Sequence, residues 1–182
     1  IKINGKVQAN NALVSAGNFT MDNSSGSVTS AGKKATLIQM TVNPQYSIDV
    51  SSLGGIEANS ISMVGNNIGF GVRNKGSIIS NGTLMLTSNG NLLNKGSITG
   101  KGLLSQVSTV TGITNDGSIA GAYYLMLSSG DYIVNTGSLS GGQLIATANG
   151  NITNGDSGTM TGTSGLSLTS GGKIRNEEKA SL

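Results

Sequence analysis

Short runs of alternating apolar and polar residues return along this chain at a nearly fixed spacing. Between the runs stands a phrase of the form Asn-x-Gly-Ser-Ile, with close or degraded copies that begin at Asn74, Asn94, Asn115, Asn135, Asn154 and Asn176. The steps between these asparagines are 20, 21, 20, 19 and 22 residues. A period near twenty with strand-forming residues and regular glycine is typical of a solenoid, whose repeats stack and bury one continuous core.

The apolar positions of each repeat predict strands. An apolar residue stands two positions before each asparagine, at Val72, Leu92, Ile113, Ile133, Ile152 and Ile174. An apolar pair lies ten and eight positions before it in most repeats, at Leu84 and Leu86, Leu125 and Leu127, Leu144 and Ala146, and Leu166 and Leu168; one repeat has Ser105 and Val107 there. Because side chains at period two share one face of a strand, two or three short strands should close each coil. Successive coils should pair in register about 4.8 Å apart.

The repeated phrase is interpreted as a structural turn and not as a ligand site. Its members are Asn74 and Gly76, Asn94 and Gly96, Asn115 and Gly117, Asn135 and Gly137, and Asn154. Asparagine and glycine both tolerate left-handed turn geometry, and stacked asparagines hydrogen-bond along a ladder. We therefore expect an asparagine ladder along one corner of the solenoid.

The first third of the chain is less regular. Residues 1–21 are expected to form one coil that includes Phe19 and Met21. A strong β run with Lys33-Lys34 before it and Asn43-Pro44 after it predicts a hairpin near residues 28–42 that leaves the solenoid. Regular coils should resume at Ile48. The chain begins in what already reads as a strand, so we expect it to be a piece of a longer protein.

Composition narrows the chemistry that this chain can perform. It has no Cys and no His, so it has no disulfide, no thiolate metal site and no histidine base. Charged residues make up 10% with a net charge of +3, too few for the clustered basic surface that nucleic acid needs. Eight acidic residues in scattered positions do not favour the paired carboxylates of a polysaccharide-degrading β-helix enzyme. The sequence predicts a non-enzyme without catalytic, cofactor or metal residues.

Three tyrosines of one repeat leave two interpretations open. Tyr123, Tyr124 and Tyr132 would form an exposed aromatic patch that suits a sugar ring, or one or two of their rings would point inward and fill a wider coil.

The segment that leads into the repeats resembles a known family. The stretches IDVSSLGGIEA (48–58), ISMVG (61–65) and GFGVRNKGSI (69–78) resemble the end of the secretion domain of filamentous-haemagglutinin-like exoproteins, which are exported by two-partner secretion. Asp49, Gly54, Gly55 and Gly71 are the residues that carry the resemblance. Asp49 itself is expected to accept backbone N–H groups at a coil corner. The later coils are similar to the haemagglutinin repeats of such proteins.

The resemblance implies a fold, a division of the chain and a role. The fold would be all-β: a right-handed parallel β-helix of about 20 residues per coil with an extra-helical β-hairpin. Residues 1–73 would be the carboxy-terminal part of a secretion domain, whose amino-terminal part is absent here, and residues 74–182 would be haemagglutinin-type repeats continuous with it.

Family members are large secreted proteins of Gram-negative bacteria that reach the cell surface after transit through the periplasm. Their partners would be an outer-membrane transporter of the TpsB type and the surface of a target bacterial or host cell, with no nucleic acid. The role would be a non-catalytic shaft in adhesion or in delivery of a contact-dependent growth-inhibition toxin. An autotransporter-type adhesin passenger is the alternative.

Overall fold

The chain folds into a β-solenoid. In the computed structural model, residues 1–17, 19–21, 28–30, 46–67 and 71–182 are described. The strands of this part are β1 (Lys2–Ile3), β2 (Lys6–Ala16), β3 (Phe19–Met21), β4 (Val28–Ser30), β5 (Tyr46–Val50), β6 (Gly55–Gly65), β7 (Gly71–Asn74), β8 (Ser77–Ser80), β9 (Leu84–Ser88), β10 (Leu92–Asn94), β11 (Ser97–Gly100), β12 (Leu104–Thr109), β13 (Ile113–Asn115), β14 (Ser118–Ser129), β15 (Ile133–Asn135), β16 (Ser138–Ala148), β17 (Ile152–Asn154), β18 (Thr159–Ser170) and β19 (Ile174–Asn176).

Two parallel sheets run the length of the solenoid. The first contains one short strand from each coil, in the order β1-β5-β7-β10-β13-β15-β17-β19. The second contains nine strands and has the order β11-β8-β6-β9-β12-β14-β16-β18, with β2 paired to β6. This sheet bends in every coil. Strands β6, β14, β16 and β18 run through the bend without interruption, whereas in two coils the bend divides the strand into β8 and β9 or into β11 and β12. Each coil therefore has three strand segments.

Side chains that face inward stack into rows because the coils pair in register. One row joins Val72, Leu92, Ile113, Ile133 and Ile152, and all five are fully buried. A second joins Ile56, Ile78, Ile98, Ile119, Leu139 and Met160. The predicted pairs before each asparagine form two further rows, in which Ser105 lies between Leu84 and Leu125. These rows form one continuous aliphatic core, as predicted. Each buried aliphatic side chain in it contributes roughly 1.5–3 kcal/mol to stability.

The first third departs from the expected coil. Strand β3, which contains Phe19 and Met21, was expected to continue the first coil; this expectation was wrong, because β3 pairs antiparallel with β4 in a separate two-stranded sheet. Of the hairpin predicted near 28–42, only residues 28–30 lie in the described part. Strand β1 pairs with β5, and β2 pairs with β6, so the coil of residues 1–16 stacks directly on the coil that begins at Tyr46.

Within the described residues, the chain forms no helix with the length and apolar character that a membrane crossing requires.

Candidate functional site

The asparagines of the repeated phrase form a buried hydrogen-bonded ladder. The Nδ2 of Asn74 donates to Oδ1 of Asn94 at 2.8 Å, and the same bond joins Asn94 to Asn115 at 2.7 Å, Asn115 to Asn135 at 2.7 Å, Asn135 to Asn154 at 2.8 Å and Asn154 to Asn176 at 2.9 Å. The first four of these side chains are completely buried. The ladder therefore connects six coils in one line through the interior.

Each ladder amide from Asn74 to Asn154 is also bonded to two backbone carbonyls. For Asn115, Nδ2 lies 3.2 Å from the oxygen of Gly117 in its own turn and 3.1 Å from that of Ser138 in the next coil. The ladder begins at Asn74, where the backbone N–H of Gly76 donates to the side-chain oxygen at 3.1 Å. The preceding coil has Val50 in this row. A buried amide with all its partners is stabilising, and it leaves no polar atom free to bind a ligand.

The glycines of the phrase are required by close backbone approach. A Cβ on Gly96, Gly117 or Gly137 would collide with the carbonyl oxygen of the equivalent glycine one coil earlier. The expectation of left-handed turn geometry at these glycines is wrong, because among the described residues only Gly17 has a positive φ, of 131°. Stacked turns bring these backbones so close that any side chain is excluded.

Asp49 lies on the outer face of strand β5 and is bound by the neighbouring coil. Arg73 donates from Nε to Oδ1 at 2.8 Å and from Nη2 to Oδ2 at 2.7 Å. The guanidinium carbon also lies 4.6 Å from the ring centre of Tyr46. These hydrogen bonds lower the pKa of Asp49 against the opposing effect of its burial. The expectation that Asp49 binds backbone N–H groups at a corner is wrong, because it sits within a strand and forms a two-pronged ion pair.

The three family-motif glycines are sterically constrained as well. A Cβ on Gly54 would collide with the carbonyl oxygen of Ile3, and one on Gly71 with the side chain of Asn91. A Cβ on Gly55 would lie 3.0 Å from the oxygen of Ser77. All three therefore allow coils to stack where a larger residue would hold them apart.

The three tyrosines of the repeat that precedes Asn135 occupy two different places in their coil. Tyr123 and Tyr124 lie in a bulge of strand β14 and are 60% and 39% exposed. Tyr132 lies beyond the far end of the same strand, in the turn before β15, where a Cβ on Gly112 would collide with its ring. The structure thus brings two of the three tyrosines together on the surface.

A second contact between charged side chains lies on the outer edge of the solenoid. On the edge that carries Lys75 and Lys95, the Lys95 ammonium lies 3.6 Å from Asp116, whose carboxylate also accepts a 3.0 Å hydrogen bond from Thr136. In the part of the chain that the structure describes, His, Cys, Asp and Glu residues nowhere form a group of three or more that could hold a metal ion.

Sequence reasoning missed a second polar row at the opposite corner. The hydroxyls of Ser88 and Ser129 donate to the carbonyl oxygens of Asn91 and Tyr132, at 3.2 and 2.8 Å. Both serines are buried. The signal in the sequence was a serine or threonine six positions before the asparagine in four repeats, at Ser88, Thr109, Ser129 and Ser170.

Comparison with known proteins gives one partial similarity. The chain is 29% identical over 100 residues to a protein named Toxin CdiA from Yersinia pestis, and the match covers 54% of this chain and 3% of that protein. The chain thus spans a small fraction of its relative's length. No family model matches the chain. No solved structure matches it either. The β-solenoid and this similarity are compatible with a segment of a CdiA-type exoprotein.

Proposed function

We propose that this chain is a non-catalytic shaft segment of a large secreted bacterial exoprotein that acts in cell contact, by adhesion or by delivery of a growth-inhibition toxin. The observation that carries the proposal is the asparagine ladder, which joins coil to coil with every amide bonded inside the molecule. Such a ladder gives length and stiffness and offers no reactive group. The similarity to Toxin CdiA supports this class of parent protein.

The same proposal includes a secretion context. Residues 1–73 would be the end of a secretion domain recognised by an outer-membrane TpsB-type transporter, and the protein would reach the cell surface after crossing the periplasm. The resemblance of residues 48–78 supports this placement, and the stacking of coil 1–16 on coil 46–65 is compatible with it, since it makes both parts one continuous solenoid.

A deletion of one whole coil tests the shaft in the parent protein on its own bacterium. Removal of residues 75–94 joins Asn74 to Lys95 and restores the phrase Asn-Lys-Gly-Ser-Ile, so every row stays in register. Removal of residues 75–84 is the control, because it joins Asn74 to Met85 and breaks all rows. Surface display is measured with an external epitope tag, and function by adherence and by growth of competitor cells.

A shaft predicts that the whole-coil deletion is displayed and keeps contact activity, whereas the half-coil deletion loses both. Loss of contact activity in a whole-coil variant that is still displayed would contradict the proposal, because it would show that the deleted coil itself makes a specific contact. Display that is unaffected by loss of the partner transporter would contradict the secretion context.

A further inference from the structure

One outer face of the solenoid carries aromatic, amide and hydroxyl groups but no charge. We define the neutral face as the outward residues of the second sheet in four successive coils: Leu104, Gln106 and Ser108; Tyr124, Met126 and Ser128; Gln143, Ile145 and Thr147; and Gly165, Ser167 and Thr169. Tyr123 borders this face at the bulge. Because the coils are in register, these side chains form columns that run along the solenoid axis with steps of about 4.8 Å.

The neutral face contains a shallow hollow beside the tyrosines. The hollow has a volume of about 170 Å³ and is lined by Gln143, Ile145, Gly165 and Ser167, with Leu144 and Leu166 between them along the strands. Gly165 opens it, since a Cβ at that position would have only the side chain of Gln143 near it, at 4.0 Å. Tyr124 precedes Gln143 and Gly165 in the same column.

We propose that the neutral face binds an uncharged oligosaccharide, with one sugar ring in the hollow and the next against the tyrosines. A pyranose ring presents an apolar C–H face and a rim of hydroxyls. An exposed tyrosine ring can pack against the apolar face of the sugar. The amide of Gln143 and the hydroxyl of Ser167 can bind the sugar hydroxyls, since each both donates and accepts hydrogen bonds. This inference does not depend on the proposed shaft function.

Size and charge favour a glycan over other partners. Tyr123, Tyr124 and Met126 together expose on the order of 300 Å², given that an aromatic side chain covers 150–250 Å². A stable protein interface needs about 800 Å² per partner. An anionic membrane surface requires lysine or arginine, which the neutral face lacks. An added peptide strand requires a free sheet edge, whereas these residues lie on the sheet's face.

The test is a titration of the isotope-labelled chain with maltohexaose, cellohexaose and chitohexaose, each at millimolar concentration, followed by amide shifts in NMR. We expect at least one of these glycans to shift the resonances of Tyr124, Gln143 and Gly165. Tyr124→Ala should weaken that binding at least about tenfold, which is 1.4 kcal/mol. Gly165→Val should do the same by filling the hollow without a backbone collision.

Met85→Ala is the matched control, because Met85 is an exposed apolar side chain of the same sheet, and it should bind like the wild type. The melting temperature of each variant shows whether it is folded. If Tyr124→Ala does not fold, the binding of Gly165→Val decides the outcome. The proposal is overturned if none of the three glycans shifts these resonances, or if both variants bind as tightly as the wild type. Concentration-dependent dimerisation that is lost in Tyr124→Ala would also overturn it, by showing a self-interface.

Discussion

Replacement of Asn115 by alanine should destabilise the solenoid far more than the same change at the end of the ladder. Asn115 lies in the middle of the row and is completely buried. Asn115→Ala removes the donor to Oδ1 of Asn135, at 2.7 Å, and to the carbonyl of Ser138, at 3.1 Å. Asn94 keeps its bonds to Gly96 and Ser118. The carbonyl of Gly117 also loses Nδ2 as a donor but keeps the N–H of Ser138. Two acceptors, the buried Oδ1 of Asn135 and the part-buried carbonyl of Ser138, therefore lose a partner.

The magnitude follows from these two acceptors. An unsatisfied buried acceptor costs about 1–3 kcal/mol, so the loss of two partners in Asn115→Ala should lower the free energy of unfolding by about 2–6 kcal/mol. Whole domains are stable by about 5–15 kcal/mol, so this loss is large. Asn176→Ala is the matched control, because Asn176 is exposed and water can replace its bonds. Asn154 keeps the carbonyls of Gly158 and Ser181 in that variant, and the expected loss is under about 1 kcal/mol.

Urea unfolding followed by circular dichroism measures both variants, with the slope compared to the wild type to check that the same surface unfolds. Equal destabilisation by the two substitutions would refute the reasoning, since it would show that a buried bond of the ladder stabilises the fold no more than an exposed one.

Three further substitutions test other contacts. Gly96→Ala should destabilise the fold by about 1–3 kcal/mol, because the new Cβ collides with backbone. Its control, Gly5→Ala, has no atom within 4 Å of the new Cβ and should stay within about 0.5 kcal/mol of the wild type. Equal melting temperatures of the two variants would contradict this. Ser105→Ala should raise the unfolding free energy by about 1 kcal/mol, because the buried hydroxyl of Ser105 has no hydrogen-bond partner; a loss of stability in urea would count against it. The Arg73 ion pair lowers the folded-state pKa of Asp49, so its stabilisation is complete above the ordinary carboxyl pKa of 3.8 and is lost as pH falls through the folded value. The stability difference between the wild type and Asp49→Asn should therefore shrink in acid, and a difference that is constant with pH would exclude this linkage.

The sequence predicted the coils well because their signal is repeated. Each copy of the phrase places an apolar residue two positions before an asparagine of the ladder, so six weak patterns support one another. The row that holds Ser105 was recognisable as irregular for the same reason. Residues 1–30 have no second copy to compare, and there β3 was wrongly assigned to the first coil.

Contacts between coils were harder to predict than the coils themselves. The Asp49–Arg73 pair joins residues 24 positions apart, and only the register of β5 on β7 brings them together. The glycines of the phrase were identified as necessary, but the reason was steric approach between coils and not backbone conformation. The neutral face likewise became visible only when the register aligned Tyr124 with Gln143 and Gly165.

A distance measured along the axis tests the central claim, that the coils stack in register as a rod. Thr87 and Thr169 are exposed and occupy one column, four steps apart through Ser108, Ser128 and Thr147. The chain has no cysteine, so Thr87→Cys with Thr169→Cys gives two unique sites for spin labels. At about 4.8 Å per step, four steps separate the two backbone positions by about 19 Å. Pulsed electron paramagnetic resonance should therefore give a narrow distribution of distances between the two spin labels, centred near that value. A broad distribution, or a distance that does not increase by one step when Val64 replaces Thr87 as the labelled site, would contradict the rod.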